Sequence, residues 1–402
     1  MTETSIDHHV ISTRDEYLDA VAELERGTGP IGIDAERASG FTYSQRAYLI
    51  QIYRRGAGTF LFDPPAVGDF SELNTALADT EWILHAASQD LPCLREVGLD
   101  PARIFDTELA ARLLGLPRVG LGTVVEELLG IHLAKEHSAA NWSTRPLPEA
   151  WLVYAALDVE LLPDLRDKMA PLLIESNKVE IAEQEFQAVL AKEAKPPRAD
   201  PWRKLSGVHS LRGQRNLAVA RELWLARDAL AQQLDVAPGR LVPDASLVAA
   251  ARLSPSNKHA LANLREFSGR ATRTELDRWW NAISAGLTTS DLPDTRVNGD
   301  TLPPPRAWAE RNPEADLRYK AARAAIVELS ETLAIPTENI LTPDFLRRVC
   351  WAPPAAEDAA SISVALAELG ARPWQIEATA QLIADAFVDA LQTTPDDPSP
   401  AS

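Results

Sequence analysis

Pro30-Ile-Gly-Ile-Asp-Ala-Glu36 is the stretch on which the fold turns. Isoleucines around a glycine, bounded by turn residues, read as a buried strand. The run ends in two acids spaced i and i+2. Side chains two apart on a strand leave the same face, so Asp34 and Glu36 point together. Charges directly after a core strand are costly to bury unless they are paired or bound to a cation. Taken alone, the pair is better explained as a solvated strand end.

Working outward, Ala47-Tyr-Leu-Ile-Gln-Ile-Tyr53 and Thr59-Phe-Leu-Phe-Asp63 have the same β character, with a turn signal at Arg55-Gly56 between them. Short connections predict an antiparallel meander for the three runs. Helical and strand patterns then alternate: a helix over Phe70–Leu77, a strand over Glu81–His85, helices over Gln89–Val97 and Thr107–Leu114, and one helical stretch from about Leu147 to Met169. A meander followed by alternation predicts an α/β domain with a mixed sheet over residues 1–190.

Beyond residue 190 the strand signals vanish. Ala194-Lys-Pro-Pro-Arg-Ala-Asp-Pro201 reads as a linker, and Thr288–Pro305 as a stiff connector ending in three prolines. Two helical segments, 203–285 and 307–392, look like copies of one unit. In each, a helix (Ala220–Asp235, Tyr319–Leu333) leads through a turn into Leu241-Val-Pro-Asp244 or Leu341-Thr-Pro-Asp344, then a further helix. The Asp of that step is expected as an N-cap. Residues 393–402, rich in Pro, Asp and Ser, read as a disordered tail.

The 402-residue length fits several domains, and the apolar share of 46% is ordinary for a globular chain. No apolar run approaches the roughly 18 residues of a membrane span, and the first residues lack a signal-peptide pattern. Two cysteines, Cys93 and Cys350, form neither a disulfide framework nor a zinc site, and they fit a reducing cytoplasm. The net charge of −18 is unevenly spread. Residues 1–199 carry −14, residues 200–280 carry +5, and residues 281–402 carry −9. The basic middle segment is open to two readings, local phosphate binding or an ordinary solvated arginine face.

Two further acids complete a set. Asp90 follows the apolar run in Trp82-Ile-Leu-His-Ala-Ala-Ser-Gln-Asp-Leu91, at a helix start where a helix dipole also favours an acid. Asp158 lies in Trp151-Leu-Val-Tyr-Ala-Ala-Leu-Asp-Val159, one helical turn after Tyr154 and on the same face. Asp-x-Glu on the first strand, Asp after a later strand and Tyr-x3-Asp on a last helix together resemble the Tyr-bearing branch of the DEDD exonucleases. Phe62-Asp-Pro64, Ile83–Leu91, Phe105-Asp-Thr-Glu-Leu-Ala110 and Asn141-Trp-Ser-Thr-Arg-Pro-Leu147 resemble ribonuclease D segments in order, and the helical units resemble HRDC domains. The chain departs from that family at Ala35, usually Thr, at Asn141, usually Asp, and at His137, usually Glu or Gln. The second helical unit, which is acidic, diverges most.

The resemblance implies a ribonuclease H-like mixed-sheet exonuclease domain followed by two all-α HRDC-like domains. It implies a 3′→5′ exoribonuclease that trims single-stranded RNA 3′ ends, as in tRNA or other structured precursors, and releases nucleoside 5′-monophosphates. Two Mg²⁺ or Mn²⁺ ions would be held by Asp34, Glu36, Asp90 and Asp158, with Tyr154 orienting the attacking water. An all-carboxylate set is the donor chemistry of hard cations, not of zinc. A DNA 3′→5′ exonuclease and a catalytically inert nucleic-acid-binding protein are the alternatives. His85 and Cys93 are read as core packing and Gln51 as an edge-of-core residue. Lys135, Trp142 and Arg145 are candidates for holding a base or a phosphate, with Trp142 equally a loop anchor. Removing residues 203–402 is expected to leave a working catalytic core.

Overall fold

The computed structural model describes residues 9–133, 139–193, 196, 198–295 and 302–392. Lys135, His137, the tail 393–402, the first residues of the chain and parts of the two linkers lie outside the described residues. Six strands form one sheet: β1 (Val10–Ile11), β2 (Thr28–Arg37), β3 (Ala47–Arg55), β4 (Gly58–Phe62), β5 (Trp82–Leu84) and β6 (Ile104–Asp106), in the order β1-β4-β3-β2-β5-β6. The expected meander is present: β2–β3 and β3–β4 are antiparallel. β5 joins β2 in parallel, β6 joins β5 in parallel, and β1 runs parallel to β4, so the sheet is mixed.

β2 is central, and its Ile31 and Ile33 are fully buried. Gly32 between them is required by packing. A Cβ there would come within 2.4 Å of the Val159 carbonyl oxygen. The missing side chain lets the helix Glu149–Glu160 lie directly on β2, which brings Asp158 to the strand that carries Asp34. The single helix expected from about Leu147 to Met169 is two, Glu149–Glu160 and Leu162–Glu175. Pro163 is the reason: it has no N–H to continue the first helix and restricts the residue before it. Likewise Gln89–Val97 is a short 3₁₀ turn, Ala87–Gln89, and a helix, Leu91–Glu96, with Asp90 between them.

The helical units share one path. Gly213–Leu234, Pro238–Leu241 and Asp244–Leu253 correspond to Pro313–Leu333, Thr337–Ile340 and Pro343–Trp351. Each long helix ends in a left-handed residue, Asp235 at φ 47° and Ala334 at φ 48°. The N-cap expectation fails in both. Pro243 and Thr342 hold the cap position, and the acids serve arginines: Asp244 pairs with buried Arg227 at 2.8 Å, and Asp344 accepts from Arg347 and Arg348 at 2.9 and 2.8 Å. Cys93 and Cys350 are free and buried. Among the described residues no helix is long and apolar enough to cross a membrane.

The two units are attached differently. The first has a core of its own around Trp279, Leu223 and Leu247. It meets the sheet domain through a polar joint in which Asp235 accepts from Ser44 N at 2.8 Å, Arg46 Nη2 at 3.0 Å and the Tyr48 hydroxyl at 3.2 Å. The second contributes Trp308, Ile326 and Phe387 to the same apolar core as Ile31 and Trp82. Lys178 clamps that seam by donating to the Leu113 and Leu333 carbonyls, both at 2.6 Å. Residues 1–190 and the second helical unit therefore share one apolar core, part of which removal of 203–402 would uncover.

Candidate active site

Asp34 and Glu36 leave β2 beside the helix that bears Asp158, and carboxylate oxygens of the three lie within 4.8 Å of one another. Asp90 reaches the same place from the turn after β5. Ala86 takes a left-handed φ of 62°, and the Ala86 and Ala87 amides donate to Asp106 at 3.1 and 2.8 Å, which pins the turn. The buried carboxyl of Asp90 then hydrogen-bonds Asp34. All four predicted acids and Tyr154 line one cleft of about 550 Å³.

Electrostatics in the cleft follow from burial first. Desolvation raises the proton affinity of Asp34, although its neighbouring amide and Arg37 oppose it. Glu36 is raised well above the ordinary range by burial and then by Asp34 and Asp158. Asp90 is raised well above it by burial and by Asp34. Asp158 is pushed up to about 7 by burial and Asp34, against a hydrogen bond donated by Tyr154. The Tyr154 phenol is raised by burial and by the facing Asp158 and Glu36, so it remains protonated and a donor. Four acids that repel one another in a partly dehydrated cleft make a set of hard oxygen donors, and the residues fit divalent cations.

The remaining candidates separate. Gln51 is fully buried opposite Asp34 on β3, and its Nε2 donates to Asp34 Oδ2 at 2.9 Å, which fixes that carboxylate. His85 lines the cleft but is held neutral, pushed down to about 4 by burial, with Nδ1 2.9 Å from the Thr107 hydroxyl. Cys93 is core, its thiol pushed up to about 12 by burial. Trp142 is fully buried with its ring 5.3 Å from that of Trp151, so it anchors the loop and stacks on no base. Arg145 is spent on Asp63, at 2.6 and 2.9 Å, and on the Tyr48 carbonyl, so the phosphate reading is corrected. Sequence reading missed Arg37, Ser39, Gln89 and Glu108, which also line the cleft. Strict alternation along β2 sets Arg37 on the face opposite Glu36, which hid it.

Three family models match: "3'-5' exonuclease" over residues 8–174, "HRDC domain" over 216–283 and "3' to 5' exonuclease C-terminal domain" over 301–387. Ribonuclease D of Pseudomonas paraeruginosa is 32% identical over 324 residues, which are 79% of this chain and 82% of that protein. A crystal structure of a protein from Bifidobacterium adolescentis superposes with a TM-score of 0.87 at 37% identity, covering 95% of this chain and 97% of the other. That of Escherichia coli RNase D, described as an exoribonuclease involved in structured RNA processing, superposes with a TM-score of 0.69 at 26% identity, covering 97% and 100%. Similarity of that depth, running from the carboxylate strand through the last helices, makes the chain a member of the ribonuclease D family of metal-dependent 3′→5′ exoribonucleases.

Proposed function

We propose that the chain shortens single-stranded 3′ ends of RNA, in tRNA or other structured precursors, at a site formed by Asp34, Glu36, Asp90, Tyr154 and Asp158, releasing nucleoside 5′-monophosphates. The observation that carries this reading is the convergence of four mutually repelling carboxylates in one cleft, with no cation of the described residues paired to them. Asp34, Glu36, Asp90 and Asp158 would hold two Mg²⁺ or Mn²⁺ ions. When bound, such a pair supplies Lewis-acid stabilisation of the attacking and leaving oxygens. The chain's own part is orientation. Gln51 fixes Asp34, Asp106 fixes the turn that presents Asp90, and the Tyr154 hydroxyl, hydrogen-bonded to Asp158, is available to position a water. A cytoplasmic setting fits two reduced cysteines.

The unit at 203–285 is read as the HRDC domain that holds the RNA. Arg265, Arg270 and Arg273 line a cleft of about 570 Å³ there and make no ion pair with a described residue. The unit at 307–392 is read as a diverged HRDC-like copy, supported by the shared helix, left-handed turn and helix path. Its role is bracing the sheet domain, since its core is continuous with the catalytic one. The test uses matched 5′-labelled RNA and DNA with Mg²⁺ or Mn²⁺, resolved nucleotide by nucleotide. A ladder shortening from the 3′ end of RNA is expected. Degradation of DNA alone would move the reading to a DNA exonuclease, and no degradation of either would leave the inert binding protein.

A further inference from the structure

We propose that Arg37 is a substrate-binding residue of the cleft, its guanidinium holding a phosphate oxygen of the strand being shortened. This rests on the reading of the cleft as the nuclease site. Among the described residues that line the cleft, Arg37 is the one lysine or arginine. It makes no ion pair and no side-chain hydrogen bond with a described residue, although the chain carries a net charge of −18 and the buried arginines, Arg227 and Arg318, are both engaged. Arg227 meets Asp244 at 2.8 Å, and Arg318 donates to the Cys350 carbonyl at 3.2 Å. It lines the same cleft as Asp34, Glu36 and Asp90, yet it does not fold onto them. A guanidinium has five donors and a fork that matches phosphate.

The backbone accounts for its direction. The β2–β3 register runs Asp34 to Gln51 and Glu36 to Leu49, then jumps to Arg37 opposite Ala47, leaving Tyr48 over. An extra residue of this kind twists the strand end and re-aims the side chains beside it. The segment after Arg37 is also held. Ser44, Arg46 and Tyr48 all bond Asp235 of the first helical unit, and Arg240 stacks 4.0 Å from the Phe41 ring centre. A rim braced in this way presents its arginine with little ordering left to do on binding. The need is electrostatic. A polyanion entering among four carboxylates gains from a fixed positive charge that does not leave with a dissociating cation.

The experiment measures anisotropy of a short 5′-fluorescein single-stranded RNA on full-length Asp158→Asn protein with Mg²⁺ present, with and without Arg37→Ala. Binding should weaken about tenfold, and the salt slope should fall by about 0.7, one phosphate on a single strand. Arg37→Lys, which keeps the charge but not the fork, should fall between. Arg37→Gln keeps the length of the side chain and serves if Arg37→Ala does not fold. Calorimetric Mn²⁺ binding to Arg37→Ala in the otherwise native chain should be unchanged or tighter. An unchanged affinity and slope, or lost Mn²⁺ binding, overturns the assignment. Hydrolysis by the unaltered protein is measured in parallel. If that fails, the nuclease reading falls; if it succeeds while binding is indifferent to residue 37, only Arg37 is misassigned.

Discussion

Glu185 and Asp90 are both nearly inaccessible acids, at 4% and 5% exposure, and their surroundings are opposite. Glu185 lies at the seam with the second helical unit. Both its oxygens accept from Arg372 at 2.7 Å, and the Trp374 indole adds a third bond at 2.7 Å. Asp90 lies in the cleft, where the strongest charge acting on it is that of another carboxylate, Asp34. Burial of a paired, fully bonded charge builds structure, whereas burial of several unpaired like charges stores a demand for a cation. The seam therefore reads as architecture and the cleft as chemistry.

The largest expected effect breaks the cleft. Asp34→Asn removes the carboxylate that both Gln51 and Asp90 address, and hydrolysis should fall by on the order of a thousandfold or more. The metal-free variant should melt no lower than the parent, because repulsion is relieved. Near-native turnover in single-turnover assays would sink the carboxylate assignment. The seam should show the reverse pattern. Arg372→Ala strands the Glu185 carboxylate and should cost about 3–5 kcal/mol in urea unfolding, while turnover per folded molecule changes little. A loss below about 1 kcal/mol would mean that the seam is not closed in solution.

Tyr154→Phe is the finer probe, because it deletes one oxygen and keeps the ring. The hydroxyl bonds Asp158 and sits among the acids, so turnover should drop about a hundredfold with metal affinity nearly unchanged. A change under about threefold would return Tyr154 to the seam's category, a residue that packs.

These two regions differed in how far the sequence exposed them. Strand and helix periodicities placed Asp34 with Glu36 and Tyr154 with Asp158, since i, i+2 and i, i+4 spacings are local geometry. Asp90 was legible only through its order in the motif. The seam was invisible because Glu185, Arg372 and Trp374 are far apart in the chain, and no periodicity links them. β1 and β6 are two and three residues long and exist by pairing with β4 and β5, so no local pattern announces them. Arg145 and Trp142 looked like nucleic-acid contacts because their types are used so, and only the contact with Asp63 and the burial beside Trp151 disclose their structural work. Arg37 was missed for the converse reason: alternation is a rule for regular strands, and the register slips at that residue.

The smallest effect distinguishes the cleft from the other polar joint, at Asp235, by the sign of its pH dependence. In the metal-free chain Asp158 is pushed up to about 7, and Glu36 and Asp90 are also raised. Between the ordinary carboxylate range near 4 and that value, the folded state binds more protons than the unfolded state. Stability contributed by the cleft must then fall as pH rises through this window. At Asp235 burial opposes ionisation but is outweighed by the Ser44, Arg46 and Tyr48 partners, so its proton affinity is lowered. Its contribution is present above the ordinary carboxylate range and is lost only as pH falls below it. Within the window Asp106, raised to about 6, adds to the slope of the cleft acids, and His85, pushed down to about 4, opposes and reduces it without changing its sign. Metal-free protein should therefore melt a few degrees higher at about pH 6 than at about pH 8, on the order of 1 kcal/mol. Asp158→Asn should flatten part of that slope. Saturating Mg²⁺ should reverse it, because cations bind the deprotonated carboxylates and stabilise the folded state by mass action. A metal-free melting temperature that is level or falls on acidification would mean that the cleft is better hydrated than its geometry implies, and the contrast with the seam would lose its physical basis.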